Sequence, residues 1–322
     1  MAAVIAVTGA TGFAGRHVVA ELLRRGHAVR VLARDPSKAS FPDGVEIVAG
    51  DLGSSNSLSA LARSADSVIH IAGAIAAPSR LAFQDVNATG AANVATAAAH
   101  AKVRRFVHVS SLSARLPEVS GYAASKRAGE DAVMQAAGNL SLAIVRPPAV
   151  YGPGDKATLP LFKALTGTVA FIPGTASQRF SLVYVEDLAR TLADSATGTW
   201  QGIRTMSDGR EGGYGWPDLL QTAAKVEGRA PKIAYLPKPL LSAAAAAIAG
   251  IARISGNTTI LNPGKIGELY HTDWVCEAEL KLAASIQFED GFRRTLAWYR
   301  KEGWLPPSRH AARTPGHRET LA

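Results

Sequence analysis

Val4-Ile5-Ala6-Val7-Thr8-Gly9-Ala10-Thr11-Gly12-Phe13-Ala14-Gly15 stands near the start of this chain of 322 residues and sets its architecture. The first residues are a short apolar run of the buried-strand type, and an amphipathic stretch from His17 to Arg25 follows the glycines. The pattern predicts a strand, a glycine turn and a helix. Such a turn lets backbone N–H groups approach a pyrophosphate, whose charge the helix N-terminus favours. A turn without any ligand is the alternative interpretation.

The second predicted strand, Ala28 to Leu32, should end beside the adenosine ribose of a bound dinucleotide. Of the two charged residues that follow Ala33, Arg34 comes first and can accept the 2′-phosphate of NADP, with Lys38 nearby. Asp35 precedes a proline and is typical of the start of a turn. Its carboxylate would instead bind the ribose hydroxyls of NAD if the strand ended one residue later. This order favours NADP and leaves NAD open.

Strands continue to alternate with helical patterns along the chain. The further predicted elements are strands at 45–52, 67–73, 104–109 and 142–145, and a helix at 92–101. This alternation predicts an α/β fold with a Rossmann-type, doubly wound parallel sheet. Ligands bind such sheets at the carboxyl ends of the strands, where Asp51 would reach the adenine amino group.

A second group of residues suggests acid/base chemistry. Tyr122-Ala-Ala-Ser-Lys126 lies downstream of a predicted strand that ends in Ser110-Ser111. A phenol is a poor base at neutral pH, and an ammonium one helical turn later can favour the phenolate. Ser111 could hydrogen-bond the same substrate oxygen, so Ser111, Tyr122 and Lys126 form a candidate carbonyl/alcohol redox site. Ser113 is the second choice for the serine, and Ser110 is expected to face the interior.

Further motifs match these two groups in order and spacing. They are Asp51-Leu52, His70-x-Ala72-Gly73, Asn87 within Asp85-Val86-Asn87-Ala88-Thr89-Gly90, and Arg146-Pro147-Pro148-Ala149-Val150-Tyr151-Gly152-Pro153. Together the motifs resemble the extended short-chain dehydrogenase/reductase superfamily, the NAD-dependent epimerase/dehydratase family, from the first strand to about Leu305.

The resemblance implies roles for individual residues. Lys126 would bind the nicotinamide ribose hydroxyls and lower the pKa of Tyr122, while Ser111 orients the substrate oxygen. The cofactor-binding residues expected from the motifs and the resemblance are Gly9, Thr11, Gly12, Phe13, Gly15, Arg34, Lys38, Asp51, Leu52, Ala72, Gly73, Asn87, Tyr122, Lys126, Pro148 and Val150.

Three departures from the family's pattern bear on the substrate. Ala149 stands where sugar-nucleotide enzymes carry Asn, Phe180 stands where they place Arg, and Leu112-Ser113 replaces the Asp-Glu pair of dehydratases. The chain is more similar to the 3β-hydroxysteroid dehydrogenase and dihydroflavonol reductase branch. This similarity implies hydride transfer between NADP or NAD and a hydrophobic ketone, aldehyde or secondary alcohol. Two alternative functions stay open. One is an epimerase that retains NAD, and the other is an NADPH-binding accessory subunit similar to that of respiratory complex I.

The expected organisation has three parts. Residues 1–151 would form the dinucleotide-binding domain, to which 178–207 return, and 152–305 would form mainly a smaller substrate lobe. Residues 306–322 have the composition of a disordered basic tail. The alanine-rich apolar run 240–254 is too short for a confident membrane span. It is interpreted as a packed helix, with membrane-surface contact and an oligomer contact as alternatives.

Composition agrees with a soluble enzyme. The net charge is +9, but the basic residues are scattered, so no nucleic-acid partner is expected. The one cysteine, Cys276, excludes an internal disulfide and fits a reducing compartment. No metal-ligand spacing is found among the histidines, and the early first strand leaves no room for a signal sequence. The expectation is a cytoplasmic protein, with the homodimer that is usual in this superfamily.

Overall fold

The computed structural model describes residues 2–254, 259 and 263–308. The strands in these residues are β1 (Val4–Thr8), β2 (Ala28–Ala33), β3 (Val45–Ala49), β4 (Ser67–His70), β5 (Arg105–Val109), β6 (Ser141–Arg146), β7 (Ala149–Tyr151), β8 (Val169–Pro173), β9 (Arg179–Phe180), β10 (Leu182–Tyr184), β11 (Gly202–Thr205), β12 (Lys232–Leu236) and β13 (Asp273–Trp274). The helices are α1 (Phe13–Arg24), α2 (Ser55–Ala62), α3 (Arg80–Gln84), α4 (Gly90–His100), α5 (Gly121–Ala136), α6 (Leu159–Thr166), α7 (Val185–Thr197), α8 (Trp216–Glu227), α9 (Lys238–Ile254), α10 (Pro263–Tyr270) and α11 (Phe288–Lys301). Short 3₁₀ turns occupy Pro36–Lys38 and Leu112–Arg115, and a π-helical turn occupies Asp85–Thr89.

The central sheet has seven strands in the order β11-β6-β5-β4-β1-β2-β3, and every pair is parallel. Parallel strands need crossovers, and the helices between them pack on both faces of the sheet. The strand order reverses between β1 and β4, which is where doubly wound sheets bind ligands. The predicted α/β Rossmann fold is confirmed.

Two apolar layers cover the sheet. On one face, Val18 and Leu22 of α1 and Leu192 of α7 are fully buried against strands β1 and β5. On the other face, α2, α4 and α5 bury residues such as Leu58 and Val133. Because both faces are covered, β1, β4 and β5 are continuous apolar runs broken mainly by the buried His70 and His108.

The remaining elements build a second apolar cluster. Its centre is aromatic, with the rings of Phe162 and Phe292 stacked at 5.0 Å and those of Tyr151 and Phe288 at 5.4 Å. Part of the intervening chain returns to the sheet, because β11 pairs with β6 as its outer strand and α7 packs on α1. These contacts place β7, β10 and the aromatic cluster beside the carboxyl ends of the main strands.

The apolar run from Leu240 lies in helix α9, which packs on α10. Across the residues that the structure describes, no helix is long and apolar enough to cross a membrane. The predicted basic tail falls at 306–322, and its part beyond Ser308 lies outside the described residues.

Candidate active site

A cavity of about 1520 Å³ opens at the carboxyl ends of the central strands. Most residues predicted for the cofactor and for catalysis line it: Gly9, Thr11, Gly12, Phe13, Gly15, Arg34, Asp51, Leu52, Ala72, Gly73, Ser111, Tyr122, Lys126, Pro148 and Val150. Lys38 and Asn87 are not part of its wall. The sheet therefore brings together residues from segments that are distant in sequence.

The glycine turn has the shape that a pyrophosphate requires. Gly9 has a φ of +74°, and a Cβ added to it would lie 2.5 Å from the backbone nitrogen of Ala72. A Cβ on Gly15 would collide with the carbonyl oxygen of Gly9, so helix α1 can start close to the strand only with glycine there. The first turn of α1 has no capping side chain and no acidic residue. Its free N–H groups and positive dipole end fit the phosphates of NAD(P).

Arg34 and Asp35 occupy different environments. Arg34 is exposed at the cavity wall, and within the described part of the chain its guanidinium has no hydrogen-bond or ion-pair partner. The Asp35 carboxylate accepts hydrogen bonds from the backbone N–H of Ser37 at 3.1 Å and its hydroxyl at 2.6 Å. It also lies 2.8 Å from the ammonium of Lys38, which is 84 % exposed. Asp35 thus caps a 3₁₀ turn, as the predicted turn required, and Lys38 turns toward it.

Asn87 supports the loop after β4 and does not face the cavity. Its amide oxygen accepts from the N–H of Ala74 at 2.7 Å, and its amide nitrogen donates to the carbonyl of Ala74 at 3.0 Å and to the hydroxyl of Ser125 at 2.8 Å. The side chain is 1 % exposed. Asn87 therefore fixes the loop that carries Gly73 onto helix α5, and its contact with the cofactor stays a prediction.

Ser111, Tyr122 and Lys126 meet at the inner wall of the cavity. Ser111 follows β5, and its hydroxyl accepts a hydrogen bond from Ser113 at 2.9 Å. Helix α5 carries Tyr122 and Lys126 and is capped by Ser120, whose hydroxyl accepts from the N–H of Ala123 at 2.9 Å. Lys126 donates to the carbonyl of Val109 at 2.7 Å, so the lysine is anchored to the end of β5.

Ser110, the serine that precedes Ser111, has a partner of its own. Ser110 is buried and donates to the carboxylate of Glu130, which also accepts two hydrogen bonds from Arg146 at 2.8 and 2.5 Å. Ser110 thus turns toward a buried ion pair, as expected from the sequence.

The protein's own groups raise the pKa of Tyr122, which is opposite to the direction expected from the sequence. Burial raises it from 10.0 to about 12, the Ser111 hydroxyl lowers it by less, and the carboxylate of Glu268 raises it further. Burial also lowers the pKa of Lys126 from 10.5 to about 8, against the opposing effect of Glu130. Desolvation outweighs the nearby protein groups, and the expected lowering by Lys126 together with the cofactor's charge stays a prediction. Tyr122 is accordingly a protonated acid at neutral pH.

A carboxylate of helix α10 contacts the start of helix α5. Glu268 of α10 is 9 % exposed and lines the cavity. It accepts a hydrogen bond from the hydroxyl of Ser120 at 2.5 Å and from the ammonium of Lys265 at 2.8 Å. Sequence reasoning missed Glu268 and Lys265, because no motif marks their segment. They place a polar pair beside Tyr122, in a wall that also carries polar residues such as Asp155 and Gln178.

Four aromatic side chains line the same part of the cavity. Phe180, Trp216, Trp274 and Phe288 line it, and the rings of Phe180 and Trp216 lie 5.0 Å apart. Arg179 does not line the cavity, because its guanidinium binds the carbonyls of Gly212 and Gly213, each at 3.0 Å. Within the segment Tyr214-Gly215-Trp216, Trp216 contributes directly to the wall.

His70 and His108 stack at 5.3 Å beneath the site. Burial lowers the pKa of His70 to about 3 and that of His108 well below its ordinary value, and the Lys126 ammonium adds to both effects. Both rings are neutral, and His70 hydrogen-bonds the hydroxyl of Thr8 at 2.7 Å. Within the described ranges, no cluster of histidine, cysteine and acidic residues has the geometry of a metal site.

Comparisons with known proteins were made on both sequence and structure. The sequence profile described as "NAD dependent epimerase/dehydratase family" matches residues 5–193. "Ceramide reductase" of Caulobacter vibrioides is 42% identical over 308 residues, which are 94% of this chain and 96% of that protein. "NADH dehydrogenase [ubiquinone] 1 alpha subcomplex subunit 9, mitochondrial" of Arabidopsis thaliana is 28% identical over 262 residues, 76% of this chain and 62% of that protein. Among solved structures, the Bordetella bronchiseptica enzyme WbmG in complex with NAD and UDP superposes with a TM-score of 0.66 at 19% identity, covering 93% of this chain and 95% of that one.

Proposed function

Because the chain belongs to the NAD-dependent epimerase/dehydratase family and is an NAD(P)-dependent oxidoreductase, we propose that it uses NADPH to reduce a ketone on a lipid-like molecule. The observation that carries the proposal is the meeting of Ser111, Tyr122 and Lys126 with the glycine turn in one cavity. The name of the Caulobacter vibrioides relative supports a ceramide-like substrate, an amide-linked lipid with a ketone in place of a secondary hydroxyl.

The protein's groups suit reduction. Bound NADPH would supply the hydride to the carbonyl carbon. Ser111 would donate a hydrogen bond to the carbonyl oxygen, and Tyr122 would give that oxygen its proton. Since burial raises the pKa of Tyr122 to about 12, the phenol stays protonated over the neutral range and starts each turnover in the form that reduction needs. Lys126 is anchored to the carbonyl of Val109 and would hold the ribose hydroxyls.

The residues that follow β2 favour NADPH over NADH. The guanidinium of Arg34, which has no partner among the residues that the structure describes, can bind a 2′-phosphate through charge-assisted hydrogen bonds. The carboxylate of Asp35, which would be the ligand for the hydroxyls of NAD, is already bound to Ser37 and Lys38. The ribose hydroxyls of NADH would have to compete with these partners for the carboxylate.

An apolar substrate agrees with the aromatic wall. Phe180 occupies the wall position while Arg179 binds a neighbouring loop, so this region offers no guanidinium to a nucleotide diphosphate. The carboxylate of Glu268 is available to accept a hydrogen bond from a substrate N–H or hydroxyl. A polar pair next to these aromatic side chains suits a lipid whose polar groups cluster next to the reacting carbon.

The test has two arms. Nucleotide released from the denatured protein is identified by mass, and the emptied protein is titrated with NADPH and NADH. NADPH oxidation is then followed with a keto-ceramide analogue, and the alcohol product is identified by mass spectrometry. Preferential NADPH binding with formation of the alcohol is the expected result. Tightly retained NAD with no net oxidation would refute the reductase and favour an epimerase, and NADPH binding without turnover of any ketone would favour the accessory subunit.

A further inference from the structure

The outward face of helix α9 carries no polar side chain along most of its length. Leu240, Ala244, Ala247, Ile248 and Ile251 recur at helical spacing and are all exposed. The exposed fractions are 62 % for Leu240, 41 % for Ile248 and 68 % for Ile251. A helix on a water-exposed surface ordinarily presents polar residues there. This face is therefore built for contact with something apolar.

The inward side of the same helix already has its own packing. Ala245 is fully buried, and Ser242, which is the polar residue of the segment 239–251, is half-buried. The outward apolar residues therefore lie on the other side of α9 from the residues that pack on the protein. Exposed apolar side chains also occur on β8, which pairs with the strand β12 that precedes α9: Phe171 is 60 % and Val169 is 39 % exposed. We call these exposed apolar residues of α9 and β8 the α9 surface.

Charge indicates what covers the α9 surface. Between Glu227 and Glu268 the sequence contains no acidic residue. The basic residues of that segment are Arg229, Lys232, Lys238, Arg253 and Lys265. Lys232 and Lys238 are exposed, one at the start of β12 and the other at the first residue of α9. A second copy of the chain would bring like charges together across a symmetric contact, whereas an anionic lipid surface attracts them and accepts the apolar side chains.

The α9 surface is joined to the cavity wall. Helix α9 packs on α10, which contributes Glu268 and Leu269 to the cavity. Tyr270 at the end of α10 donates to the carbonyl of Leu236 at 2.5 Å, just before α9 begins. We propose that the α9 surface docks the enzyme on an anionic lipid bilayer, so that a lipid substrate passes into the cavity without entering water. The substrate in this statement rests on the proposed function, whereas the docking does not.

Vesicle flotation tests the docking. The full chain is mixed with vesicles of phosphatidylcholine alone or of phosphatidylcholine with phosphatidylglycerol, both without substrate. Wild type should float with the anionic vesicles, and higher salt should weaken binding. A Leu240→Gln/Ile251→Gln variant should lose at least about tenfold in partition coefficient. Met134→Gln, at another apolar residue that is 45 % exposed, is the matched control and should bind as wild type does.

The outcomes separate docking from catalysis. Reduction of a short water-soluble ketone by the double variant at the wild-type rate would show that its fold and site are intact. Failure of wild type to bind either vesicle, or equal binding by the double variant, overturns the docking. A wild-type dimer that becomes a monomer in the double variant overturns it too, because a second copy would then cover the surface. Vesicle binding without turnover of any ketone leaves the docking supported while the proposed reductase fails.

Discussion

Lys126→Met removes the buried ammonium of the active site, and we expect the variant to be more stable than wild type while it loses activity. Lys126 is 4 % exposed, and burial lowers its pKa from 10.5 to about 8 although Glu130 opposes this. Because the folded pKa is the lower one, the unfolded chain binds the proton more tightly. The ammonium therefore opposes folding at neutral pH, and stability rises as the pH increases from about 8 to about 10.5.

The magnitude follows from these pKa values. The difference between 10.5 and about 8 corresponds to about 3 kcal/mol of destabilisation at pH 7. Methionine removes that penalty but leaves the Val109 carbonyl without its 2.7 Å hydrogen bond, which costs about 1 kcal/mol. The expected net gain is about 2 kcal/mol at pH 7. At pH 9 much of the lysine in the folded protein is already neutral, so the gain shrinks to about 1 kcal/mol.

Urea unfolding of wild type and variant at the two pH values measures this gain. Lys163→Met, at an exposed lysine of helix α6, is the control and should change the free energy of unfolding by less than about 0.5 kcal/mol. NADPH-dependent turnover of Lys126→Met should fall at least about 100-fold, since the ribose anchor and the charge near Tyr122 are both lost. A variant less stable than wild type at pH 7, or an equal difference at both pH values, would refute the reasoning.

Three further variants test other parts of the site. Tyr122→Phe should lower kcat at least about 100-fold and leave the Kd for NADPH within about threefold, because it removes the proton donor alone; unchanged turnover would dismiss Tyr122 as the acid. Arg34→Ala should weaken NADPH binding about 30-fold and NADH binding less than about twofold in fluorescence titrations, and equal effects would move the preference to NAD. Gly129→Ala should destabilise the protein by about 1 to 3 kcal/mol in thermal melts, because the new Cβ would collide with the carbonyl oxygen of Asn87. Gly250→Ala is its control, since nothing lies within 4 Å of a Cβ there, and it should be neutral or stabilising; a harmless Gly129→Ala would mean that helix α5 does not need this close approach.

Long-range packing accounts for what could not be foreseen about individual side chains. Asn87 belongs to a family motif, and its amide forms hydrogen bonds with Ala74 and Ser125. These two partners lie in a loop and a helix that only the folded chain brings together. Glu268 reaches Ser120 across 148 residues of sequence, and no local pattern marks such a contact. The partners of Arg179, the carbonyls of Gly212 and Gly213, likewise lie 33 and 34 residues away in the sequence.

Spacing along the chain was enough for the sheet, the glycine turn and the placement of Ser111, Tyr122 and Lys126, because strand and helix periods and turn chemistry are local properties. The direction in which the pKa of Tyr122 shifts could not be predicted from the local sequence. It depends on how much water the folded chain excludes and on a carboxylate from α10, and both are set by packing between distant segments. The exposed stripe of α9 likewise became visible once the fold separated the inward side of an apolar helix from its outward side.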